Sequence, residues 1–370
     1  PRPFVKRDLP VNILYELATT MIDRGLMPDC ATRMGIRRLL RKRLQSSVQS
    51  APRDTCMAAF LDQMDNFDGI APVPEKANEQ HYEVPASFYN ACLGIQKKYS
   101  SCFYPTLEES LDEAEEAAFQ HSANHALLQD GQHVLELGCG WGSWSLWMAS
   151  RFPNSKITGV SNSNSQRAHI MAIADARQLQ NLEIVTCDMN DFDPRVVRPD
   201  RTPLHGFDRV VSIEMFEHMR NWRRLLQRIR EWLHDDGRFF AHVFAHRSHP
   251  YVFDDHHDSG QSGGYGNWMG EHFFSGGIMP SRDLFHQFPD TLKVEDDWWW
   301  DGRHYARTSE QWLQNLDQNK RAGINALPHT SGVSPEVMLR RWRVFFMACA
   351  ETFGYDEGKE WGVVHVRMRK

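Results

Sequence analysis

Two short stretches of this 370-residue chain carry residues that could do chemistry. The first is Glu214-Met215-Phe216-Glu217-His218, two carboxylates and an imidazole within five residues. It follows directly on the apolar run from Asp208 to Ile213, which reads as a strand. If the chain turns helical there, Glu214, Glu217 and His218 share one face. Carboxylates attract a cationic amine, and a base must hold or remove the ammonium proton before such a nitrogen can attack anything. Imidazole titrates near neutral pH and can share that task. The bland alternative is a solvated helix start, where acids sit well against the helix dipole.

The second stretch is Val134-Leu135-Glu136-Leu137-Gly138-Cys139-Gly140-Trp141-Gly142. An apolar strand carrying a carboxylate runs into alternating glycines and then a helix. Glycine permits a tight turn and a close approach of backbone N–H groups to a ligand at the strand's carboxyl end. A nicotinamide site has the spacing G-x-G-x-x-G and an acid about twenty residues on for the ribose. Here the spacing is G-x-G-x-G, and no Asp or Glu occurs between Glu136 and Asp175. Glu136 suits a cationic ligand better than a pyrophosphate, which points to the sulfonium and amino group of S-adenosylmethionine. Asp188, just past the third strand, stands where it could accept a hydrogen bond from an adenine amino group. The histidines His242, His246 and His249, with His256 and His257 beyond, match no zinc spacing, so no metal is expected.

The elements that must position these residues form an alternating series. His133–Leu137, Ile157–Val160, Leu182–Thr186, Asp208–Ile213 and Arg238–Val243 read as strands. The segments 142–152, 165–179 and 222–234 read as helices. Short apolar strands alternating with helices give an α/β fold, a mostly parallel sheet covered on both faces. Before it come two amphipathic helices with a basic face (Leu14 to Ile22 and Ile36 to Leu44), then a polar stretch, 49–76, read as a hinge. A short helix through Phe88 and Tyr89 and an acidic helix, 111–128, follow. After Ala245 the pattern changes. The Gly-, His- and Asp-rich stretch 254–270 reads as a loop or lid. Then come a helix at 280–286, a strand at 294–300, helices at 309–319 and 335–353, and a last strand at 361–369. The division expected is an N-terminal helical arm, 1–75, a nucleotide-binding core, 76–245, and a substrate-pocket and lid region, 246–370, whose last helix and strands complete the core.

Composition narrows the class. Hydrophobic residues make up 41% and charged residues 24%, which excludes a disordered or fibrous chain. A net charge of −6 offers no stripe for nucleic acid outside the N-terminal helices. No long uncharged apolar run is present to insert stably in a membrane, and the first residues lack the basic-then-apolar pattern of an export signal. Seven scattered cysteines, with no C-x-x-C, read as free thiols in a reducing, cytoplasmic setting.

Six stretches in chain order carry a family resemblance: Tyr99-Ser100-Ser101-Cys102-Phe103-Tyr104, Glu136 to Ser143, Ser212 to Met219, Phe273 to Ser281, His304 to Ser309, and Trp342 through Tyr355. From about His81 onward the chain resembles the cyclopropane-fatty-acid-synthase superfamily of S-adenosylmethionine-dependent methyltransferases, and within it the coclaurine N-methyltransferase branch. The resemblance implies a class I, Rossmann-like methyltransferase sheet of seven strands, with an antiparallel last strand. It implies S-adenosylmethionine contacts from Tyr99, Ser100, Glu136, Gly138, Gly140, Asn162, Gln166, Asp188 and Met189, with S-adenosylhomocysteine as product. It assigns catalysis to Glu214, Glu217 and His218, and an amine pocket to Tyr82, Phe274, Trp342, Phe345 and Phe346. Plain core packing is the competing reading of Phe345 and Phe346. The expected partner is a small, aromatic or alkaloid-like amine, with a homodimer left open. Cyclopropane synthases carry cysteine where Ser101 stands and a small residue where Glu214 stands. An added carboxylate favours a cationic acceptor, so methyl or methylene transfer to an unsaturated acyl chain is the second reading.

Overall fold

The fold is described from a computed structural model, which covers residues 11–50, 52–72, 84–196, 206–253, 268–269, 273–328 and 332–370. The described residues form nine strands: β1 (His133–Leu137), β2 (Lys156–Ser161), β3 (Leu182–Thr186), β4 (Phe207–Ile213), β5 (Leu233–His246), β6 (Tyr251–Val252), β7 (Ile278–Met279), β8 (Lys293–Asp301) and β9 (Trp361–Arg369). Seven of them form one sheet in the order β3-β2-β1-β4-β5-β9-β8. The first five are parallel neighbours, and β9 runs antiparallel to both β5 and β8. The chain thus winds outward from β1 to β3, returns to β4, and winds the other way. The switch lies between β1 and β4, and crevices that hold ligands open beyond the carboxyl ends of such strands.

The sheet interior is apolar on both faces, as parallel strands buried under helices require. Val134, Leu135, Leu137, Val210 and Val211 are buried. Trp222–Trp232 lays Trp222, Leu225, Leu226, Ile229 and Trp232 on the sheet at helical spacing. The Asn221 side chain caps it by accepting from the Arg224 N–H at 2.9 Å. Leu111–His125 starts on a full capping box, Ser110 with Glu113.

Several boundaries differ from the sequence reading, each for a physical reason. The stretch read as a hinge contains a helix, Arg53–Asp65, whose Met57, Phe60 and Met64 are buried on one side. The stretch read as a helix at 280–286 is instead a single bridge at Ser281, a turn at Arg282 and Asp283, and the start of a 3-10 turn. The Pro280 carbonyl accepts from His246 N–H, and only a single 3-10 turn, Leu284–Gln287, follows. The helix expected from 309 begins at Gly302, where the Asp301 side chain accepts from Arg303 N–H and caps it. The basic face of the helix Asp29–Ser50 is partly used for docking. Arg33 and Arg37 pair with Glu351 on the helix Pro335–Phe353, while Arg38, Arg41 and Lys42 stay exposed. The Gly- and His-rich stretch 254–270 lies outside the described residues except for Trp268 and Met269.

Candidate active site

The turn after β1 builds the first half of the site. Gly138, Gly140 and Gly142 all take positive φ, at 76°, 52° and 80°. A Cβ on Gly138 would come within 2.5 Å of the Met215 side chain, so only glycine fits there. A Cβ on Gly140 would meet nothing within 4 Å, because that Cα faces open cavity. Glu136 reaches the same cavity from inside the strand. It accepts from the Ser145 hydroxyl, and burial pushes its carboxyl up to about 7 despite that bond.

Two adjoining cavities meet at this loop, sharing Gly138, Gly140, Gln166 and His218 in their walls. The smaller is lined by Asn162, Gln166, Asp188 and Met189, together with Ala71 and Pro72. Gln166 accepts from Ser161 Oγ at 2.6 Å, and among the described residues its Nε2 donor is buried without a partner. An orphaned amide donor facing a cavity fits a hydroxyl-bearing ligand such as a ribose. Ala71 and Pro72 were not anticipated. They reach the cavity because Asn190 Oδ1 accepts from the N–H groups of Ile70 and Ala71, at 2.7 and 3.0 Å.

The larger cavity holds Tyr99, Ser100, Glu136, Gly138 and Gly140 at one end, and an aromatic wall of Phe244, Phe274, Tyr305 and Phe345 at the other. Glu214 stands between these ends. It leaves β4 with φ 46°, a left-handed conformation that is costly for a residue with a Cβ. Its N–H is tied to the His242 carbonyl at 2.8 Å. The conformation turns the carboxylate into the cavity. There Oε1 accepts from Ser101 N–H at 2.9 Å and lies 3.1 Å from His242 Nε2, and Oε2 accepts from the Tyr305 hydroxyl at 2.7 Å.

Glu214, Glu217 and His218 do not share one helical face, because only a 3-10 turn, Phe216–His218, follows the left-handed residue. Glu217 is fully buried behind the cavity. Its Oε1 accepts from Phe244 N–H at 2.7 Å, and Oε2 has no partner among the described residues. Burial first, and then the Glu214 charge, push its carboxyl well above the usual range. His218 borders both cavities, with its ring 4.5 Å from that of Phe274.

Of the expected amine-pocket residues, Phe274 and Phe345 stand on the wall and Tyr82 lies outside the described residues. Trp342 and Phe346 stand behind the wall. On the helix Pro335–Phe353 the row Phe345, Cys349, Thr352, Phe353 faces the cavity. Trp342 and Phe346 sit a step around the helix and pack on each other at 5.7 Å. Tyr305 and His242 were not read as site residues. Tyr305 falls inside the family-like stretch His304 to Ser309, and the sequence offers His242 only as a candidate metal ligand. Among the described residues no three His, Cys, Asp or Glu side chains converge as a metal cage would need.

A family model described as mycolic acid cyclopropane synthetase matches residues 73–360. The chain is 32% identical to an (S)-coclaurine N-methyltransferase of Thalictrum flavum subsp. glaucum over 99% of this chain and 97% of that protein. It is 30% identical to an (S)-coclaurine N-methyltransferase of Papaver somniferum, over 94% and 96% respectively. A crystal structure of coclaurine N-methyltransferase bound to N-methylheliamine and S-adenosylhomocysteine superposes with a TM-score of 0.87 at 31% identity, covering 97% of this chain and all of that one. The mycolic acid cyclopropane synthase CmaA1, with a TM-score of 0.64 at 21% identity over 80% of this chain and 98% of that one, shares the fold.

Proposed function

The chain belongs to the mycolic acid cyclopropane synthetase family and is an S-adenosylmethionine-dependent methyltransferase; from that premise we propose that it methylates the nitrogen of a small, alkaloid-like amine. The observation that carries this reading is the Glu214 carboxylate, which is turned into the cavity between the glycine loop and the aromatic wall, held there by Ser101 N–H and the Tyr305 hydroxyl, with His242 Nε2 3.1 Å away. An acyl chain has no use for that charge, whereas an ammonium does.

S-adenosylmethionine supplies an electrophilic methyl group on its sulfonium. We assign its holding to Gly138, Gly140, Glu136, Tyr99 and Ser100 on one side, and to Gln166, Asn162, Asp188 and Met189 on the other. Glu214 draws in the cationic amine and takes its proton, leaving a neutral nitrogen with a lone pair. Ser101 N–H and the Tyr305 hydroxyl fix the carboxylate, so that catalysis comes chiefly from orientation plus this proton transfer. His218, at the seam of the two cavities, faces the place where donor and acceptor meet. Glu217 is a positioning residue here. Its bond to Phe244 N–H ties the segment after β4 to β5. Phe274 and Phe345 wall the amine, and Tyr82 belongs to the same expected set. We further read the protein as cytoplasmic, on its seven free thiols. Among the described residues no helix is long and apolar enough to cross a membrane.

Replacing Glu214 by Gln tests the reading. The turnover of an amine that is protonated at the assay pH should fall by about 10²- to 10⁴-fold, with S-adenosylhomocysteine affinity unchanged by calorimetry. Unchanged turnover would remove Glu214 from the chemistry. Glu217→Ala and His218→Ala should each cut methylation strongly while cofactor binding stays near normal.

A further inference from the structure

A line of imidazoles leads away from the cavity. His242 Nε2 lies 3.1 Å from Glu214 Oε1, and the other nitrogen of the same ring, Nδ1, lies 2.8 Å from His365 Nε2. His365 Nδ1 in turn lies 2.8 Å from His125 Nδ1. His242 and His365 are directly opposed in the β5–β9 ladder, and both are fully buried. His125 ends the helix Leu111–His125 and is half-buried, with its ring stacked on Trp298 at 3.8 Å. We propose that Glu214, His242, His365 and His125 form a proton relay, which carries the proton taken from the substrate ammonium out to solvent while the substrate fills the cavity. The relay rests on the reading of the site as an amine methyltransferase and adds to it a route for the proton.

The hydrogen-bond pattern is what a relay needs. Every nitrogen of the two buried rings has a partner in the line, so each ring can take a proton on one side as it gives one up on the other. The amine N–H bond breaks, its electron pair stays on nitrogen, and a Glu214 O–H bond forms. That proton passes to His242 Nε2 as the Nδ1 proton of the ring passes to His365 Nε2. The Nδ1 proton of His365 passes to His125 Nδ1, and His125 releases its Nε2 proton to water. The rings reset by the reverse passage once product leaves, a solvent proton entering at His125 and leaving from Glu214 into the water of the emptied cavity.

The surroundings keep the rings neutral, as transfer through them requires. Burial pushes His242 down to about 4 against the pull of Glu214, pushes His125 down to about 4, and holds His365 well below the usual imidazole range, with the neighbouring rings adding to the effect. Lys98, buried with its ammonium on Ser100 Oγ and Ser101 O, opposes charging of His242 and His365. Arg367, which donates to the His125 carbonyl at 2.9 Å, and His121, edge-on to His125 at 5.9 Å, oppose charging of the outer ring. Trp300 packs against both inner rings, at 5.4 and 4.1 Å, and closes the line to water from that side.

The test uses the full-length enzyme and its variants His365→Gln and His125→Gln. Glutamine can hydrogen-bond in the ladder but cannot exchange a proton between two ring nitrogens. Turnover of one amine is measured from pH 7 to above the amine's own pKa. The relay predicts a loss of about tenfold or more where the amine is a cation, shrinking toward none where the amine arrives neutral, with cofactor affinity constant throughout. A purely structural histidine would lower turnover equally at every pH. Hence a flat ratio of variant to wild type, or no loss at pH 7, overturns the relay and leaves the methyltransferase reading standing. If wild type methylates no amine at any pH, the reading and the relay fall together. If His365→Gln does not fold, His125→Gln at the half-buried end carries the same comparison.

Discussion

Gly140 and Glu214 share an unusual backbone state for different reasons. At Gly140 the positive φ, 52°, comes with empty space beyond the Cα, so a ligand can lie against the backbone. At Glu214 the positive φ, 46°, comes with three neighbours on the carboxylate, which hold a conformation the residue would otherwise leave. Gly140→Ala should therefore cost little in packing and about 1 kcal/mol in backbone strain. The new methyl would stand in the ligand's space, so S-adenosylhomocysteine affinity should drop by more than the loss in thermal stability accounts for. Calorimetry beside a melting curve checks this, and equal affinity would place the cofactor elsewhere. The glycine spacing and the Glu214-to-His218 stretch were both legible in the sequence, whereas the Tyr305 and His242 partners of Glu214 were not. The left-handed turn that separates Glu214 from Glu217 was not, because helical spacing of charges assumes a helix that one 3-10 turn does not supply.

Elements differ in how much of their role the sequence shows. The strands β1 to β4 and the helices that cover them could be read from apolar periodicity, because burial on both faces leaves a continuous apolar run. The first turns of the helix Gly302–Gln318 could not, since Asp301 caps it well before the apolar face starts, and Tyr305 was missed with them. His242 opposite His365 was invisible for a different reason. The partners are 123 residues apart and meet only through the β5–β9 register. The helix Pro335–Phe353 shows the limit most plainly, since Phe345 and Phe346 are adjacent yet face different surroundings. Phe346→Ala, with no exposure at all, should cost about 3–5 kcal/mol of stability while the KM for amine stays near normal. Phe345→Ala should raise that KM several-fold, since it removes a wall of the cavity. Denaturant melts and steady-state kinetics on the pair separate the two, and a raised KM for the Phe346 variant alone would reverse their roles.

For the molecule as a whole, buried groups of both kinds set the pH range of stability. His242, His125, His246 and His304 are pushed down to about 4 by burial, so the unfolded chain takes their protons first. Their contribution is complete above the ordinary imidazole value and is lost as pH falls from there toward 4. Glu136 and Glu115 are pushed up to about 7, so their contribution is present at acid pH and lost as pH rises through 7. In the ligand-free protein the two sets oppose each other from the ordinary carboxylate range up to about pH 7, and above pH 7 neither changes the melting temperature further. Glu136→Gln should steepen the rise in melting temperature between the ordinary carboxylate range and pH 7, and an unchanged slope there would mean that Glu136 ionises without cost. The account as a whole turns on whether nitrogen receives the methyl group. The most direct measurement is mass spectrometry of the products after incubation with S-adenosylmethionine carrying a trideuterated methyl, offered together with alkaloid-type amines and unsaturated phospholipids. The account predicts the intact trideuteromethyl group on amine nitrogen. Label found on the acyl chains, with the amines untouched, would contradict it.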